Sequence, residues 1–273
     1  MPNLPGPGSA EFRQVATSFG ADARRYDRAR PSYPRAMVDR ILAASPGAGA
    51  GARVLDVGCG TGIVARLFQA AGAQVRGVEP DERMAAQART AGLAVEVARI
   101  EDWDPGGQTF DVVVAGQAWH WVDPVAGAST AGRALTPGGR LAVFWNSFRP
   151  PPGLGEAMTA AVQRVAPDAP LGGGLPGPDG YARLADRAIG GIREVKTFEK
   201  METWFFDWER PYTRDEWLDA VPTFGGSNRM PAETLNAVLA GVGAAIDDAG
   251  GRFTMGYTTV VATAVKTMAI AAD

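Results

Sequence analysis

The segment VLDVGCGTG, Val54 to Gly62, constrains this chain more than any other. A short apolar run, Val54 to Val57, meets a turn with glycines at alternate positions. That pattern reads as a buried strand entering a tight turn. Helical spacing follows in IVARLFQAAGA and stops at Gly72. QVRGVEP reads as a second strand and DERMAAQARTAG as a second helix, with Asp81 as its N-cap. LAVEVARI is a third strand. TFDVVVAGQ is a fourth, almost wholly apolar, as a parallel strand covered on both faces should be. VDPVAGASTAGRALTPGG reads as helical up to Pro137, and RLAVFWN as a fifth strand. Strand and helix alternate from residue 53 to 146, which predicts an α/β, doubly wound, mostly parallel sheet.

The alternation then breaks. SFRPPPGLG and APDAPLGGGLPGPDG are rich in Pro and Gly, with a helix expected between them from Glu156 to Val165. The stretch from Arg149 to Gly180 reads either as a gate or as a mobile linker. GYARLADRAIGG is helical. IREVKTFEKMETWFFDW alternates loosely as a long strand. TRDEWLDAVPTF and AETLNAVLAGVGAAIDDAG are helical, and RFTMGYTTVVATAVK alternates clearly. An alternating strand at this point predicts an antiparallel element on a parallel sheet. The opening MPNLPGPGSAEF, residues 1–12, reads as a disordered leader or cloning remnant. The expected organisation is one domain over 13–273, with a core at 50–147 and variable cover segments at 13–45, 148–190 and 204–248.

Composition narrows the function. A net charge of -3 provides no electrostatic case for nucleic acid. One cysteine excludes an internal disulfide, and one cysteine with one histidine is not expected to hold a metal. No apolar run approaches the ~20 residues of a membrane helix, and the start lacks an apolar signal core. A cytoplasmic protein with a small-molecule partner, neither nucleic acid nor membrane, is expected. The sequence is silent on oligomeric state.

In open α/β sheets, ligands bind beyond the carboxyl ends of the strands. Two cofactor classes compete for the glycine turn. Dinucleotide sites use G-x-G-x-x-G. Here Gly58, Gly60 and Gly62 alternate and position 63 is Ile. Asp56, just before the turn, would repel a pyrophosphate but suits a ligand with a cationic end. Glu79 ends the second strand, where a carboxylate can accept both hydroxyls of a ribose. The pair suits S-adenosylmethionine better than NAD.

VLDVGCGTG resembles motif I of the class I S-adenosylmethionine-dependent methyltransferases, and GVEPDERM resembles the segment after their second strand. YDRARPSYP and AWHWVDP are similar to the small-molecule branch around trans-aconitate and ubiquinone-type enzymes. The likeness is specific over residues 19–146. It implies a seven-stranded sheet with an antiparallel last strand and a helical and loop-built substrate cover. It further implies that Gly58, Cys59, Gly60 and Gly62 surround the cofactor's methionine end and ribose. Asp56 would orient the loop, Glu79 would bind the ribose, and Pro80 and Met84 would flank the adenine. Ile100 and either Glu101 or Asp102 would meet the purine edge, with Arg99 standing where an acid is common. Gln117 and Ala118 would lie against the methionine part. Tyr26, Arg30 and Tyr33 resemble part of a lid, with Arg30 able to pair with the cofactor carboxylate.

His120 is the one histidine, between Trp119 and Trp121. It reads either as a general base at the acceptor or as a residue that closes a loop. Trp119 and Trp121 read as walls of the acceptor site. Trp204, Phe206 and the aromatics up to Phe224 read either as an acceptor pocket or as core. Cys59 reads as a small apolar residue rather than a nucleophile. The expected activity is methyl transfer to an O or C atom of a small acceptor, leaving S-adenosylhomocysteine. The alternatives are a methyltransferase-fold binding protein without transfer and an NAD-dependent oxidoreductase.

Overall fold

The computed structural model describes residues 18–47, 51–167, 178–225 and 227–268. The leader at 1–12 lies outside them, as do residues 168–177 of the Pro/Gly-rich stretch. Seven strands form one sheet: β1 (Arg53–Val57), β2 (Gln74–Val78), β3 (Ala94–Glu96), β4 (Phe110–Gly116), β5 (Leu135–Arg149), β6 (Phe198–Thr213) and β7 (Arg252–Lys266). Their order is β3-β2-β1-β4-β5-β7-β6. β1 runs parallel to β2 and β4, β2 to β3, and β4 to β5. Thr263 Oγ1 donates to the Leu141 carbonyl, and Thr259 Oγ1 to Asn146 Oδ1. Numbers therefore fall along β7 as they rise along β5, so the last strand is antiparallel, as expected.

The helices are α1 (Ala23–Ala29), α2 (Arg35–Ala43), α3 (Ile63–Ala70), α4 (Glu82–Thr90), α5 (Pro124–Ala134), α6 (Leu154–Val165), α7 (Pro178–Glu194), α8 (Arg214–Ala220) and α9 (Ala232–Asp248). Asp81 caps α4 by accepting from the Arg83 amide. The fifth-strand region differs from the sequence reading. α5 ends at Ala134, and β5 begins at Leu135, paired with Phe110, before the ladder shifts register and resumes at Arg140 opposite Val112. Pro137 and Gly138 thus sit in a strand irregularity rather than at a helix end. β6 also runs past Trp208 and Pro211 to Thr213. It lies at the sheet edge, where a missing N–H is tolerated.

The chain divides into two compact units. The larger spans residues 32–146, 181–206 and 259–273. On one side of the sheet, Met37, Val38 and Ile41 of α2 join Val54, Phe68, Val112 and Phe144 in one buried cluster. Another cluster joins Leu55, Val113, Leu141 and Trp145 to Ala185, Ala188 and Ile192 of α7. Apolar side chains on both faces of the strands explain why β1 and β4 read as continuous apolar runs. The smaller unit spans 1–31, 147–180 and 207–258. Its core joins Phe148, Met158, Tyr212, Trp217, Phe224, Val242 and Tyr257. α2 and the described length of α7 from Tyr181 onward bury their apolar faces in the larger unit's core.

In the sheet, the chain moves outward from β1 through β2 to β3, then returns to β4 on the other side of β1. That reversal places a switch point at the carboxyl ends of β1 and β4, the ligand crevice of this class of sheet.

Candidate functional site

The glycine loop leaves β1 at this switch point. Gly58, Gly60 and Gly62 have φ of +61°, +56° and +87°, the left-handed region that glycine enters without penalty. The loop is tied to the end of β2: the Gly58 and Cys59 amides donate to the Val78 carbonyl at 2.8 and 3.2 Å. A Cβ on Gly58 would lie 2.6 Å from the Ala118 Cβ. The loop after β1 and the turn after β4 therefore touch, which only glycine allows.

Glu79 follows β2 and is 7% exposed. Its Oε2 accepts from the Gly60 amide at 2.9 Å and its Oε1 from the Asp81 amide at 2.9 Å. One acid thus fixes the loop and the start of α4 together. Each carboxylate oxygen keeps a lone pair for a further donor. Burial pushes the Glu79 carboxyl up to about 7, against the pull of these two amides. Asp56 at the end of β1 is fully buried, and neither carboxylate oxygen makes a hydrogen bond of ordinary geometry. Burial pushes its carboxyl well above the ordinary range, the Ala65 amide offsets part of this, and Glu79 adds to it. The Thr61 hydroxyl of the same loop is also buried without a partner. Buried polar groups in proteins are nearly always satisfied, and these oxygens are closed off from solvent beneath the loop. The same burial and the two acids push the Cys59 thiol up, which keeps it protonated and unreactive.

On the β4 side, Gln117 takes φ of +54°, an uncommon conformation for a side-chain-bearing residue. Its amide donates to the Phe144 carbonyl at 2.8 Å, and its Nε2 to the Asn146 carbonyl at 3.4 Å. Gly116 just before it is crowded: a Cβ there would lie 2.6 Å from Val64, 2.9 Å from Phe144 and 3.0 Å from the Tyr33 hydroxyl. Asn146 lies two residues past Phe144, the last β5 residue paired with β4, and its Nδ2 donates to the Ser32 carbonyl at 2.9 Å.

The Trp119–Trp121 segment is a single 3-10 turn. Trp145 Nε1 donates to His120 Nδ1 at 3.1 Å, and the His120 ring lies 4.8 Å from that of Trp121. An Nδ1 that accepts belongs to a neutral imidazole with its proton on Nε2. In that state the outer nitrogen donates and cannot take a proton. That arrangement suits a positioned hydrogen-bond donor.

The remaining expected residues separate into groups. Asp56, Gly58, Cys59, Gly60, Gly62, Glu79, Gln117 and Ala118 come together around the switch point. Met84 is buried, with its Cε 3.5 Å from where a Gly60 Cβ would sit, whereas Pro80 is exposed. Ile100 is core. Glu101 is committed elsewhere, since its Oε1 accepts from Arg99 at 2.9 Å and from the Asp123 amide at 3.0 Å. Asp102 is exposed and is the freer of the two acids. Trp119 is 2% exposed and packs in the core, not on an acceptor wall. Trp204 is buried in the cluster of α2, with the guanidiniums of Arg40 and Arg140 at 4.2 and 5.1 Å from its ring. Phe206 packs partly against the same cluster. Cations and core side chains cover these rings, so the acceptor-pocket reading of Trp204 and Phe206 is corrected to core. Tyr26 and Arg30 belong to the smaller unit. The sequence reading missed Thr61, Gly116, Trp145 and Asn146. Only Trp145 left a trace there, as an indole whose N–H needs a partner when buried.

The family profile described as a methyltransferase domain matches residues 26–248. This chain belongs to the methyltransferase domain family. An uncharacterized methyltransferase of Mycobacterium tuberculosis is 38% identical over 138 residues, covering 50% of this chain and 54% of the relative. The chain thus spans about half the length of the curated relatives it matches first. Among solved structures, one named a type II methyltransferase from Anaeromyxobacter dehalogenans superposes with a TM-score of 0.59 at 23% identity, covering 88% of this chain and 99% of that one. A Haemonchus contortus phosphoethanolamine N-methyltransferase, solved with phosphomonomethylethanolamine and S-adenosylhomocysteine, superposes at 0.51 with 17% identity, over 94% of this chain and 59% of that one. These likenesses place the methyltransferase on the same fold. Among the described residues, no helix is long and apolar enough to cross a membrane, and no group of His, Cys, Asp and Glu is arranged to hold a metal ion.

Proposed function

We propose that this methyltransferase binds S-adenosylmethionine at the β1–β4 switch point and transfers its methyl group to an O or C atom of a small organic acceptor by in-line displacement. The observation that carries the reading is the pair of buried acids. Neither Asp56 oxygen makes a hydrogen bond of ordinary geometry, and Glu79 is held by two backbone amides with lone pairs to spare. A cationic end suits the first and a vicinal diol the second. When bound, the cofactor supplies a methyl group on a sulfonium, whose departure leaves a neutral sulfide and needs no acid. The protein's residues orient and exclude water. Glu79 would hold the ribose, Asp56 and the glycine loop the methionine end, Met84 the adenine face and Asp102 its edge. Most of the acceleration then comes from alignment. His120, held by Trp145, would donate from Nε2 to an oxygen of the acceptor. An acceptor that is already a nucleophile, such as a carboxylate or an enolate, fits a site whose histidine is not a base.

Calorimetry with S-adenosylhomocysteine tests the assignment. Glu79→Ala should weaken binding by about 1–3 kcal/mol, or roughly 10–100-fold. Because Glu79 titrates near 7 when the site is open, binding at pH 7 should also release protons, seen as a heat that varies with the buffer. An unchanged affinity in the variant would remove the ribose role.

A further inference from the structure

The smaller unit contains a cavity of about 500 Å³ that the methyl-transfer reading does not use. Its walls are mostly apolar, with Met158, Val162, Trp217 and Val242, and Glu156 and Gln163 are polar residues of the lining. That volume is in the range of small-molecule sites. Two arginines stand one ring away from it. The Arg30 guanidinium is 5.0 Å from the centroid of Phe224, which lines the cavity, and 5.3 Å from that of Tyr26. The Arg210 guanidinium is 4.5 Å from the centroid of Tyr212, whose ring packs edge-on against Trp217 of the cavity wall.

Among the described residues, neither cation forms an ion pair. The ion pairs of this unit join Arg25 and Arg28 to Asp219, Arg149 to Asp207, and Arg214 to Asp215 and Asp247. Arg30 and Arg210 are in none of them, although both are half-buried. Glu216 on α8 feels the charge of Arg210, but its Oε2 is taken up by the amide and hydroxyl of Thr213. Behind the arginines, the buried hydroxyls of Tyr212 and Tyr257 lie 2.7 Å apart. One of them donates to the other, which leaves one O–H proton with no acceptor among the described residues. Both guanidiniums act on both phenols. Two cations outside any ion pair and a surplus hydroxyl proton make a positive patch beside a mostly apolar cavity. A half-buried charge normally finds a counter-charge, and planar guanidiniums match carboxylates best.

We propose that the smaller unit binds an organic acid, with its apolar body in the cavity and its carboxylate on Arg30 and Arg210. The carboxylate of the cofactor's methionine tail shares this chemistry. The predominance of Met158, Val162, Trp217 and Val242 in the walls favours a separate acid with a largely apolar body.

Calorimetry with 1-naphthaleneacetate, 4-phenylbutyrate and octanoate, each against its neutral amide, tests this directly and does not depend on turnover. At least one acid should bind saturably, about tenfold or more tighter than its amide. Arg30→Gln and Arg210→Gln should each remove most of that preference and leave the amide unchanged. Ala160→Trp, which narrows the cavity from its exposed lining, should weaken acid and amide alike. Melting curves of the variants check that the fold survives. Saturable binding by none of the three acids would overturn the proposal, as would acids and amides binding equally. A third overturning result is that Arg30→Gln leaves acid binding intact and weakens S-adenosylhomocysteine but not 5′-methylthioadenosine, which lacks the amino acid tail. Intact S-adenosylhomocysteine binding in the same protein keeps failure here separate from failure of the methyltransferase reading.

Discussion

His120 shows how one hydrogen bond decides a chemical role. Its neighbour in space, Trp145, comes from a strand 25 residues further along and donates to Nδ1. An indole N–H is a donor only, so it holds the imidazole in the Nε2–H tautomer. Because the chain has a single histidine, nitrogen-15 spectra of the ring need no assignment. Wild type at pH 8 should show the Nε2–H form dominant, and Trp145→Phe should shift the population toward a tautomer mixture. A dominant Nδ1–H form in the wild type would return His120 to candidacy as a base. The tautomer was not legible in the sequence. WHW shows a histidine between aromatics, but the partner that sets its state lies on another strand. The grouping of Asp56, Glu79 and the glycines was legible because one βαβ unit brings them together by local chain geometry.

At the scale of elements, the close approaches around the β4 carboxyl end shape the crevice. Gly116 lets β4 lie against Val64 of α3 and Phe144 of β5, with the Tyr33 hydroxyl also near. Gly116→Ala would insert a methyl group 2.6 Å from the Val64 Cγ2. The core must shift to accept it, at a cost of about 1–3 kcal/mol. Chemical denaturation should show that loss, together with weaker S-adenosylhomocysteine binding as Gln117 moves. Wild-type stability in the variant would mean that β4 and α3 separate without cost. Strands and helices up to β4 matched the sequence pattern because each carries its own apolar period and its own glycine or cap. The start of β5 did not. Leu135 joins the sheet by pairing with Phe110, a long-range bond that competes with the helical spacing of the residues before it. The aromatics from Trp204 to Phe224 read as one group, yet they divide between two cores. Trp204 packs with α2, whereas Tyr212, Trp217 and Phe224 pack with Phe148 and Tyr257. Composition shows how much apolar area there is to bury, not against which partner.

For the whole molecule, the site's acids oppose the stability of the fold that holds them. Glu79 is raised from its ordinary 4.5 to about 7 in the folded chain, so the folded state binds the proton more tightly than the unfolded chain does. Its favourable contribution is fully present below about 4.5 and is lost as pH rises through about 7. A tenfold difference in proton affinity corresponds to about 1.4 kcal/mol, so the ionised Glu79 costs roughly 3 kcal/mol at about pH 8. Asp56 is shifted in the same direction by burial. A ligand that satisfies the ionised acids offsets that cost, which couples cofactor binding to the stability of the larger unit. Glu79→Gln removes the titration but sets its NH2 against one of the two backbone amides, a cost of about 1–3 kcal/mol that does not vary with pH. Without ligand, the melting temperature of the variant relative to the wild type should therefore rise as pH goes from 5 to 8. Saturating S-adenosylhomocysteine at pH 8 should raise the wild type by more than the variant, because the variant has lost binding energy. A constant gap across pH would show that Glu79 does not titrate in this window. A wild type that gains no melting temperature from the ligand would show that the two acids are satisfied by something other than this cofactor.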